Sequence, residues 1–470
     1  MLRIRARVVT TVAVVSLLVG ACGGASTPSG STASSSAPTG SSPGATPSSA
    51  ATQSSAAMQS APPSQAAASA QASPPNTALV PITHWQHQSD ARAALVKGFI
   101  ASYKELTGVE NSFESIPYGD YFTKLGAALE ANNGPCVFQL PANILAEYQK
   151  RGELAPVPDD VMTSADIEST FSPASTRLLK FDGKYYGLPT DVQTMLLFYN
   201  DDLFRAAGLD PTKDFATWDE FREAAIKLTK SDGGQMSQAG LDITGSPYQW
   251  YYSAPTLAYQ DGLVNDSTLA INYASEPGYQ VWDRLTSLVT KDKVDSPQFL
   301  ADQPKFASGL AGMTLREYTF SGVFKQTAPD LKYSVHLPPP VADTQFAAAA
   351  TTSWSYAVGS DCKDQPSAWA WVRYLTSEAS QRIWIAGGGE LPSRTALLSD
   401  ATLSADPGVA VGFKSLADAM PYDSLGWDDV FSVQQKIWDS IVLDGMDVKS
   451  AVDAGANGEA DLYKQKGVTN

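Results

Sequence analysis

A long uncharged stretch limits the part of this chain that can fold. No Asp, Glu, Lys or Arg occurs between Arg7 and Asp90. Within that stretch, residues 23–78 are almost entirely Ser, Ala, Pro, Thr, Gly and Gln, and Met58 is the only large apolar residue. Such a segment cannot bury enough apolar surface to offset the entropy lost on ordering. We therefore predict a disordered tether followed by a folded part that covers residues 79–470.

The folded part is acidic and long enough for two lobes. Its 392 residues correspond to two units of roughly 150 residues or more. The whole chain has 33 basic and 49 acidic residues and a net charge of −16. Such a surface repels phosphate backbones and anionic lipid headgroups. This argues against nucleic-acid binding and against electrostatic docking on a membrane.

The first residues are typical of an export signal. Arginines at positions 3, 5 and 7 precede 14 uncharged, mostly apolar residues (8–21), too few to span a membrane at about 20 residues. The sequence Leu18-Val-Gly-Ala-Cys22 resembles the cleavage box of bacterial lipoproteins. That resemblance implies removal of residues 1–21 as a signal peptide and acylation of Cys22. Residues 22–78 would then tether the folded part to the membrane.

The remaining cysteines and the histidines give no metal signature. Cys136 and Cys362 lie in the folded part, and cysteines of exported proteins can pair, but a bridge over such a distance depends on geometry. The sequence therefore leaves this disulfide open. His84 and His87 form an HxxH spacing without the glutamate of a zinc protease, and His336 is the only other histidine. We predict no metal and no cofactor.

Strand and helix patterns alternate along the folded part. The predicted strands are residues 80–85, 113–117, 136–140 and 194–200. The predicted helices are residues 90–107, 120–132, 142–151, 201–207, 218–229, 366–381 and 432–443. In the first helix, Leu95, Phe99, Tyr103 and Leu106 are spaced to share one face. Strands that alternate with helices are typical of an α/β fold with a largely parallel sheet.

Several short segments match a known family in the expected order. They are Ile82-Thr-His-Trp85, residues 185–191, 197–204 and 205–211 with Thr217-Trp-Asp-Glu220, and residues 353–358, 368–375 and 387–392. On these segments the chain resembles the extracellular solute-binding proteins of bacterial ABC importers, of the family 1 type that includes maltose-binding protein. The resemblance covers nearly all of the folded part.

The resemblance implies a two-lobed periplasmic-binding-protein-like fold of type II, with lobes joined by crossover hinge strands. Lobe 1 would contain residues 79–189 and 356–400, and lobe 2 residues 190–352 and 401–470. A monomer on the outer face of the cytoplasmic membrane would trap a small molecule between the lobes by hinge closure. It would deliver that molecule to the permease subunits of an ABC importer and catalyse no reaction.

The candidate ligand residues suit a sugar. Aromatic rings stack on the apolar C–H face of a pyranose, and polar side chains bind its hydroxyl rim. Trp85 and His87 follow the first strand, where an open α/β sheet places ligands. Asp191 and Gln193 lie at the first crossover, and Trp354 at the second. The complete set is Trp85, His87, Tyr118, Gln139, Asp191, Gln193, Trp250, Tyr252, Glu317, Tyr318, Trp354 and Glu390.

Structural roles stay open for several of these residues. Asp191 could order the hinge, Glu317 could pair with Arg316 at the surface, and Glu390 could cap a turn. Trp250 and Tyr252 fit a packing role and a ligand role equally well. Five further tryptophans lie in helical patterns, and we predict that they pack: Trp218, Trp369, Trp371, Trp384 and Trp438. Glycines 387–389 indicate a close backbone approach and lack the context of a phosphate loop.

Two other functions compete with sugar binding. The same fold could bind a polyamine, an organic anion or another small solute, since an acidic cleft with aromatic walls also suits a cation. A glycoside-active enzyme would need two carboxylates, for which Asp191 and Glu317 are the candidates. The folded part contains no GxSxG motif and no Walker A loop.

Overall fold

The computed structural model describes residues 78–88, 90–244, 271–301, 303–340, 350–421 and 427–465. The strands are β1 Thr83–His87, β2 Ser112–Ile116, β3 Val137–Pro141, β4 Lys180–Phe181, β5 Lys184–Tyr185, β6 Leu188–Asn200, β7 Lys230–Asp232, β8 Gln235–Asp242, β9 Ala311–Glu317, β10 Tyr333–His336, β11 Ala350–Val358, β12 Leu391–Pro392 and β13 Met420–Pro421.

The α-helices are α1 Asp90–Thr107, α2 Tyr118–Glu130, α3 Leu145–Lys150, α4 Ser164–Thr170, α5 Pro173–Thr176, α6 Asp201–Ala206, α7 Trp218–Leu228, α8 Glu276–Thr290, α9 Phe320–Thr327, α10 Gln365–Leu375, α11 Glu378–Gly388, α12 Pro407–Asp418, α13 Trp427–Val442 and α14 Val448–Gln465. Short 3-10 turns cover Ala142–Ile144, Arg177–Leu179 and Thr395–Leu397.

One sheet of eleven strands organises the described residues. Its order is β2-β1-β3-β11-β6-β9-β8-β7, with β10 and β12 paired to β6 and β13 paired to β11. Strand β1 is parallel to β2 and β3, as the alternating sequence pattern predicts. Strands β11 and β6 run antiparallel to their neighbours at the centre, so the sheet is mixed. The chain is therefore α/β, but its sheet is less uniformly parallel than predicted.

The N-terminal strands and helices follow the sequence pattern with small shifts. Helix α1 has the predicted bounds, but its buried face is Val96, Phe99 and Tyr103, and Leu106 is 52% exposed. Strand β1 begins at Thr83, three residues later than predicted, and runs on to His87. The proline at position 81 has no N–H to donate to a neighbouring strand, which disfavours pairing there.

Strand β6 is thirteen residues long and buried throughout, whereas the sequence predicted only residues 194–200 as a strand. Its C-terminal half is covered on both faces. Met195, Leu197 and Tyr199 pack into one core cluster, while Leu196 and Phe198 pack into another. Successive side chains of a strand point to opposite faces, so a strand covered on both faces is a continuous apolar run.

Three apolar clusters make up the described core. The first surrounds β1, β2 and β3 with helices α1, α2, α10 and α11. The second packs α7, α8, α13 and α14 against one face of β6. The third contains Phe198 and Phe324 together with Ile385, Leu391 and Leu397. The last three residues fall in predicted lobe 1, whereas Phe198 and Phe324 fall in predicted lobe 2, so this cluster contains residues of both. The lobe bounds stay a prediction.

Helix ends are set by local capping. The predicted helix 366–381 is two helices, because Ser377 caps α11 by accepting a hydrogen bond from the Ser380 backbone N–H at 3.2 Å. The spacing of Thr217 and Glu220 in the sequence predicts a capping box at the start of α7, and the cap is present, with the Glu220 N–H donating to Thr217 Oγ1. The Glu220 carboxylate accepts from the backbone N–H of Ala216 rather than from Thr217, so the capping box is displaced by one residue.

Two further predictions concern packing and covalent links. The five tryptophans expected to pack are all buried: Trp218, Trp369, Trp371, Trp384 and Trp438. Cys136 and Cys362, which the sequence left open, form a disulfide with Cα atoms 4.8 Å apart and 226 residues of separation. No helix within the described ranges is long and apolar enough to cross a membrane.

Candidate functional site

The central strands bring four polar or aromatic side chains to one face. Trp354 of β11 lies opposite Asp191 of β6, and Glu317 of β9 lies opposite Met195 of β6. Directly paired residues share a face of a sheet, and so do alternate residues of one strand. Asp191, Gln193, Glu317 and Trp354 therefore share one face, which we call the crossover platform.

A buried arginine ties the crossover platform to helix α1. The Arg92 Nη2 atom lies 3.4 Å from Asp191 Oδ2, and its Nε atom lies 2.6 Å from Glu390 Oε1. The three side chains are at most 9% exposed. Asp191 comes from β6 and Glu390 directly precedes β12, so one guanidinium links three segments. A buried ion pair of this kind is costly to break, because the remaining charge is left without a partner.

Both carboxylate oxygens of Asp191 accept hydrogen bonds, and one of these bonds orients the side chain of Gln193. Thr190 Oγ1 donates to Oδ1 at 2.5 Å, and Gln193 Nε2 donates to Oδ2 at 2.9 Å. Gln193 is only 2% exposed, and its Oε1 has no hydrogen-bond partner in the described part of the chain. A buried polar atom without a partner is rare in folded proteins. This oxygen is therefore available to a ligand.

Two glutamates at the site are harder to ionise than usual. Burial raises the pKa of Glu317 to about 6, against the opposing effect of Arg316 and Arg92. Burial also raises the pKa of Glu390 to about 6, again opposed by Arg92 and reinforced by the nearby Asp191. Both groups are mostly ionised at pH 7 and titrate in the mildly acidic range.

Aromatic rings adjoin the polar groups. The His87 ring lies 4.4 Å from the Trp354 ring with an interplanar angle of 34°. Tyr118, which is 42% exposed, contacts His87 edge-on at 5.6 Å. Burial and the nearby Arg92 lower the pKa of His87 to about 3, so the imidazole is neutral at physiological pH. The stack thus offers an uncharged aromatic surface beside the carboxylates.

The remaining candidates differ in their placement. Gln139 is buried in β3 opposite Tyr356, so it shares the face of Trp354, and its side chain lies against His87. Tyr121 donates to its backbone carbonyl at 2.7 Å. Trp85 packs against the first core cluster, with Lys124 Nζ 4.6 Å from its ring centroid, and is not on the crossover platform. Tyr318 is buried in the third cluster, and its hydroxyl donates to Asp406 at 3.4 Å. Trp250 and Tyr252 lie outside the described residues.

The backbone at glycines 387–389 packs closely against neighbouring side chains beside this site. An added Cβ at Gly387 would lie 2.9 Å from the Leu95 side chain, and one at Gly388 would collide with the Glu390 carboxylate. Gly389 has φ of +74° and ends α11. The predicted close backbone approach is confirmed.

The sequence did not single out Arg92 as a site residue; Arg92 was only part of the predicted helix 90–107. Its position in the first turn of the helix after β1 was the available signal, since that turn lies at the carboxyl end of the strand. The HxxH spacing does not gather a metal site. His84 and His87, three apart in a strand, lie on opposite faces, and His84 accepts a hydrogen bond from Trp371 Nε1 at 3.3 Å. The described residues contain no metal-binding group of three.

Known proteins resemble this chain in sequence and in fold. The family described as bacterial extracellular solute-binding protein matches residues 98–411. A putative binding protein of Brucella abortus is 25% identical over 389 residues, which span 77% of this chain and 87% of the relative.

Two solved structures resemble this one. An ABC transporter solute-binding protein of Thermotoga lettingae with α-D-tagatose bound is 21% identical and has a TM-score of 0.71. The match covers 82% of this chain and 99% of the Thermotoga chain. An ABC substrate-binding protein of Listeria monocytogenes in complex with cycloalternan has a TM-score of 0.69 at 22% identity and covers 83% and 99%. The predicted fold, a periplasmic-binding-protein fold of type II, is confirmed.

Proposed function

Because this chain belongs to the family of bacterial extracellular solute-binding proteins, we propose that it captures a carbohydrate between its two lobes and delivers it to the permease of an ABC importer. The carbohydrate is a mono- or oligosaccharide. The protein acts as a monomer and as a binding component rather than as an enzyme. Its acylated Cys22 holds it at the outer face of the cytoplasmic membrane.

One observation carries the sugar assignment. Trp354, whose ring stacks on His87, lies opposite Asp191 and shares one face of the sheet with Gln193 and Glu317, where β6 changes its pairing partner from β11 to β9. An apolar ring surface next to unpaired oxygens complements the C–H face and hydroxyl rim of a pyranose. The two solved relatives described above hold a tagatose and a cycloalternan, which supports the same class of ligand here.

The chain path supports closure around that ligand. Strand β6 pairs with β11 as far as Thr194 and with β9 from Met195 onward. The first half of β6 is thus hydrogen-bonded to β11 and the second half to β9. A small rotation between the two halves would move the two parts of the sheet as rigid bodies. We assign residues 79–189 and 356–400 to lobe 1 and residues 190–352 and 401–470 to lobe 2. Hinge closure of this kind traps ligands in other two-lobed proteins.

A thermal-shift screen of the purified protein tests the assignment. The compounds are mono- and oligosaccharides, polyamines and organic acids. A ligand at 100 times its Kd adds about 2.7 kcal/mol to the free energy of unfolding. Stabilisation by one class of sugar is the expected result, and stabilisation only by polyamines or organic acids would overturn it. Hydrolysis of a chromogenic glycoside by the same sample would contradict the non-enzymatic role.

A further inference from the structure

The face of the crossover platform carries more negative than positive charge. Asp191, Glu317 and Glu390 approach it, and Arg92 is the guanidinium that pairs with two of them. Arg316 lies opposite Leu196 on the other face of β9, with its guanidinium 4.9 Å from the Phe320 ring centroid, although its charge still favours the ionised form of Glu317. Among the described residues, the three carboxylates therefore face Arg92 on this side of the sheet, and they outnumber the two arginines by one even when Arg316 is counted.

Glu317 differs from the other two carboxylates in having, among the described residues, neither a hydrogen-bond donor nor an ion-pair partner. Asp191 accepts hydrogen bonds from Thr190, Gln193 and Arg92, and Glu390 is paired with Arg92. No described residue donates a hydrogen bond to the Glu317 carboxylate or forms an ion pair with it, although that side chain is partly buried. A carboxylate removed from water without donors is unfavourable, so this position would gain from a ligand that supplies them.

A second acceptor near Glu317 is independent of the carboxylates. Gln193 lies two residues before Met195 on β6, on the same face, and Met195 is the residue that opposes Glu317. Its Nε2 is committed to Asp191, which leaves the buried Oε1 as an acceptor without a donor. One hydroxyl group has a single proton to donate, whereas an ammonium group has three and a positive charge as well. The neighbouring acceptors and the charge excess both favour an ammonium group.

We propose that the carbohydrate carries a protonated amino group, which binds Glu317 and Gln193 while the sugar ring stacks on Trp354 and His87. This proposal rests on the proposed function and narrows its ligand to amino sugars. The positive charge of the ligand replaces the missing cation of the site. An N-acetylated or neutral sugar of the same shape has no such charge and leaves Glu317 without a counterion.

The proposal has a pH dependence with a defined sign. The charged groups near Glu317 are Arg316 on its own strand, Arg92 from α1 and Asp191 from β6. Burial outweighs the two arginines, and the pKa of Glu317 lies near 6. Glu317 is therefore ionised at pH 7.5 and mostly protonated at pH 5. The preference for an amine is expected at pH 7.5 and is expected to weaken as the pH falls through about 6.

Matched sugar pairs test the proposal by calorimetry with the full chain. The pairs are glucosamine with glucose, galactosamine with galactose, mannosamine with mannose, and the glucosamine β-1,4 disaccharide with cellobiose. In at least one pair the amine should bind at least tenfold more tightly at pH 7.5. The ratio should fall below threefold at pH 5 and in Glu317→Gln at pH 7.5. The control Glu378→Gln, at an exposed position on α11, should keep the tenfold ratio.

Four results would overturn the proposal. Neutral sugars that bind without any preference for an amine would refute it and leave the proposed function intact, as would a preference that survives in Glu317→Gln. Binding of putrescine or spermidine without binding of any sugar would refute both. Absence of binding by every sugar in the panel would also contradict both.

Discussion

Replacing Arg92 by glutamine should destabilise the protein in a strongly pH-dependent way. The substitution removes the guanidinium between Asp191 and Glu390, whose side chains are both 3% exposed. Breaking a buried pair by removing one partner typically costs about 3–5 kcal/mol, because the other charge stays buried and unpaired. We expect a loss in that range at pH 8.

The loss should be smaller at pH 5. The pKa of Glu390 is about 6 even with Arg92 beside it, and Arg92 lowers it, so the substitution raises it further. A carboxyl whose folded pKa lies above its unfolded value binds a proton more readily in the folded state. Its unfavourable contribution is therefore absent below the unfolded pKa, near 4.5, and grows as the pH rises through the folded pKa.

Urea unfolding at pH 5 and pH 8 measures both quantities. Arg205→Gln is the matched control, because its ion pairs with Asp201 and Asp202 are at the surface, and it should lose at most about 1 kcal/mol. The double variant Arg92→Gln/Glu390→Gln should recover part of the loss at pH 8. A loss in Arg92→Gln below 1 kcal/mol at pH 8, or an equal loss at both pH values, would refute the reasoning.

Three other substitutions follow from the structure. Trp354→Ala should weaken sugar binding about tenfold in calorimetry, because it removes the ring that stacks on His87. As a control, Trp218→Phe at a buried position should leave the Kd unchanged. An unaltered Kd in Trp354→Ala would contradict the site. The variant with serine at Cys136 and Cys362 should lose about 5 kcal/mol in urea unfolding, since the closed loop spans 226 residues; retention of full stability would show that the link constrains little. Cys22→Ala should move the protein from the detergent phase to the aqueous phase on phase partition, and unchanged partition would exclude the lipid anchor.

The sequence predicted those elements whose pattern depends on local chemistry. Helix α1 has its predicted bounds because its apolar spacing is regular, and the cap at Thr217 depends on one side chain next to the backbone it serves. Strand β6 was predicted short because residues 188–193 mix polar with apolar side chains. They are buried all the same, because the polar ones meet partners such as Arg92 from distant segments.

The site was predicted in part for the same reason. Asp191, Gln193 and Trp354 were predicted from the crossovers that the resemblance implies, and Glu317 from its position just after an apolar run; the structure places the four on one face. The sequence could not show whether Trp85 packs or binds a ligand, because its packing depends on contacts with Lys124 and with the core beneath α2. Tyr318 directly follows Glu317 and so belongs to the opposite face, an alternation that a strand prediction for residues 311–317 would have revealed.

Strand β6 carries two of the proposed ligand residues and the change of pairing partner within the same few residues. Asp191 and Gln193 lie just before the position where pairing passes from β11 to β9. The apparent Kd of a two-state receptor is the intrinsic Kd divided by the fraction of molecules in the binding-competent state. A substitution in this segment acts on both quantities at once. If the proposed site and hinge are correct, contact strength and conformational population are coupled in this protein, and a change of ligand during evolution would also reset the resting population of the competent form.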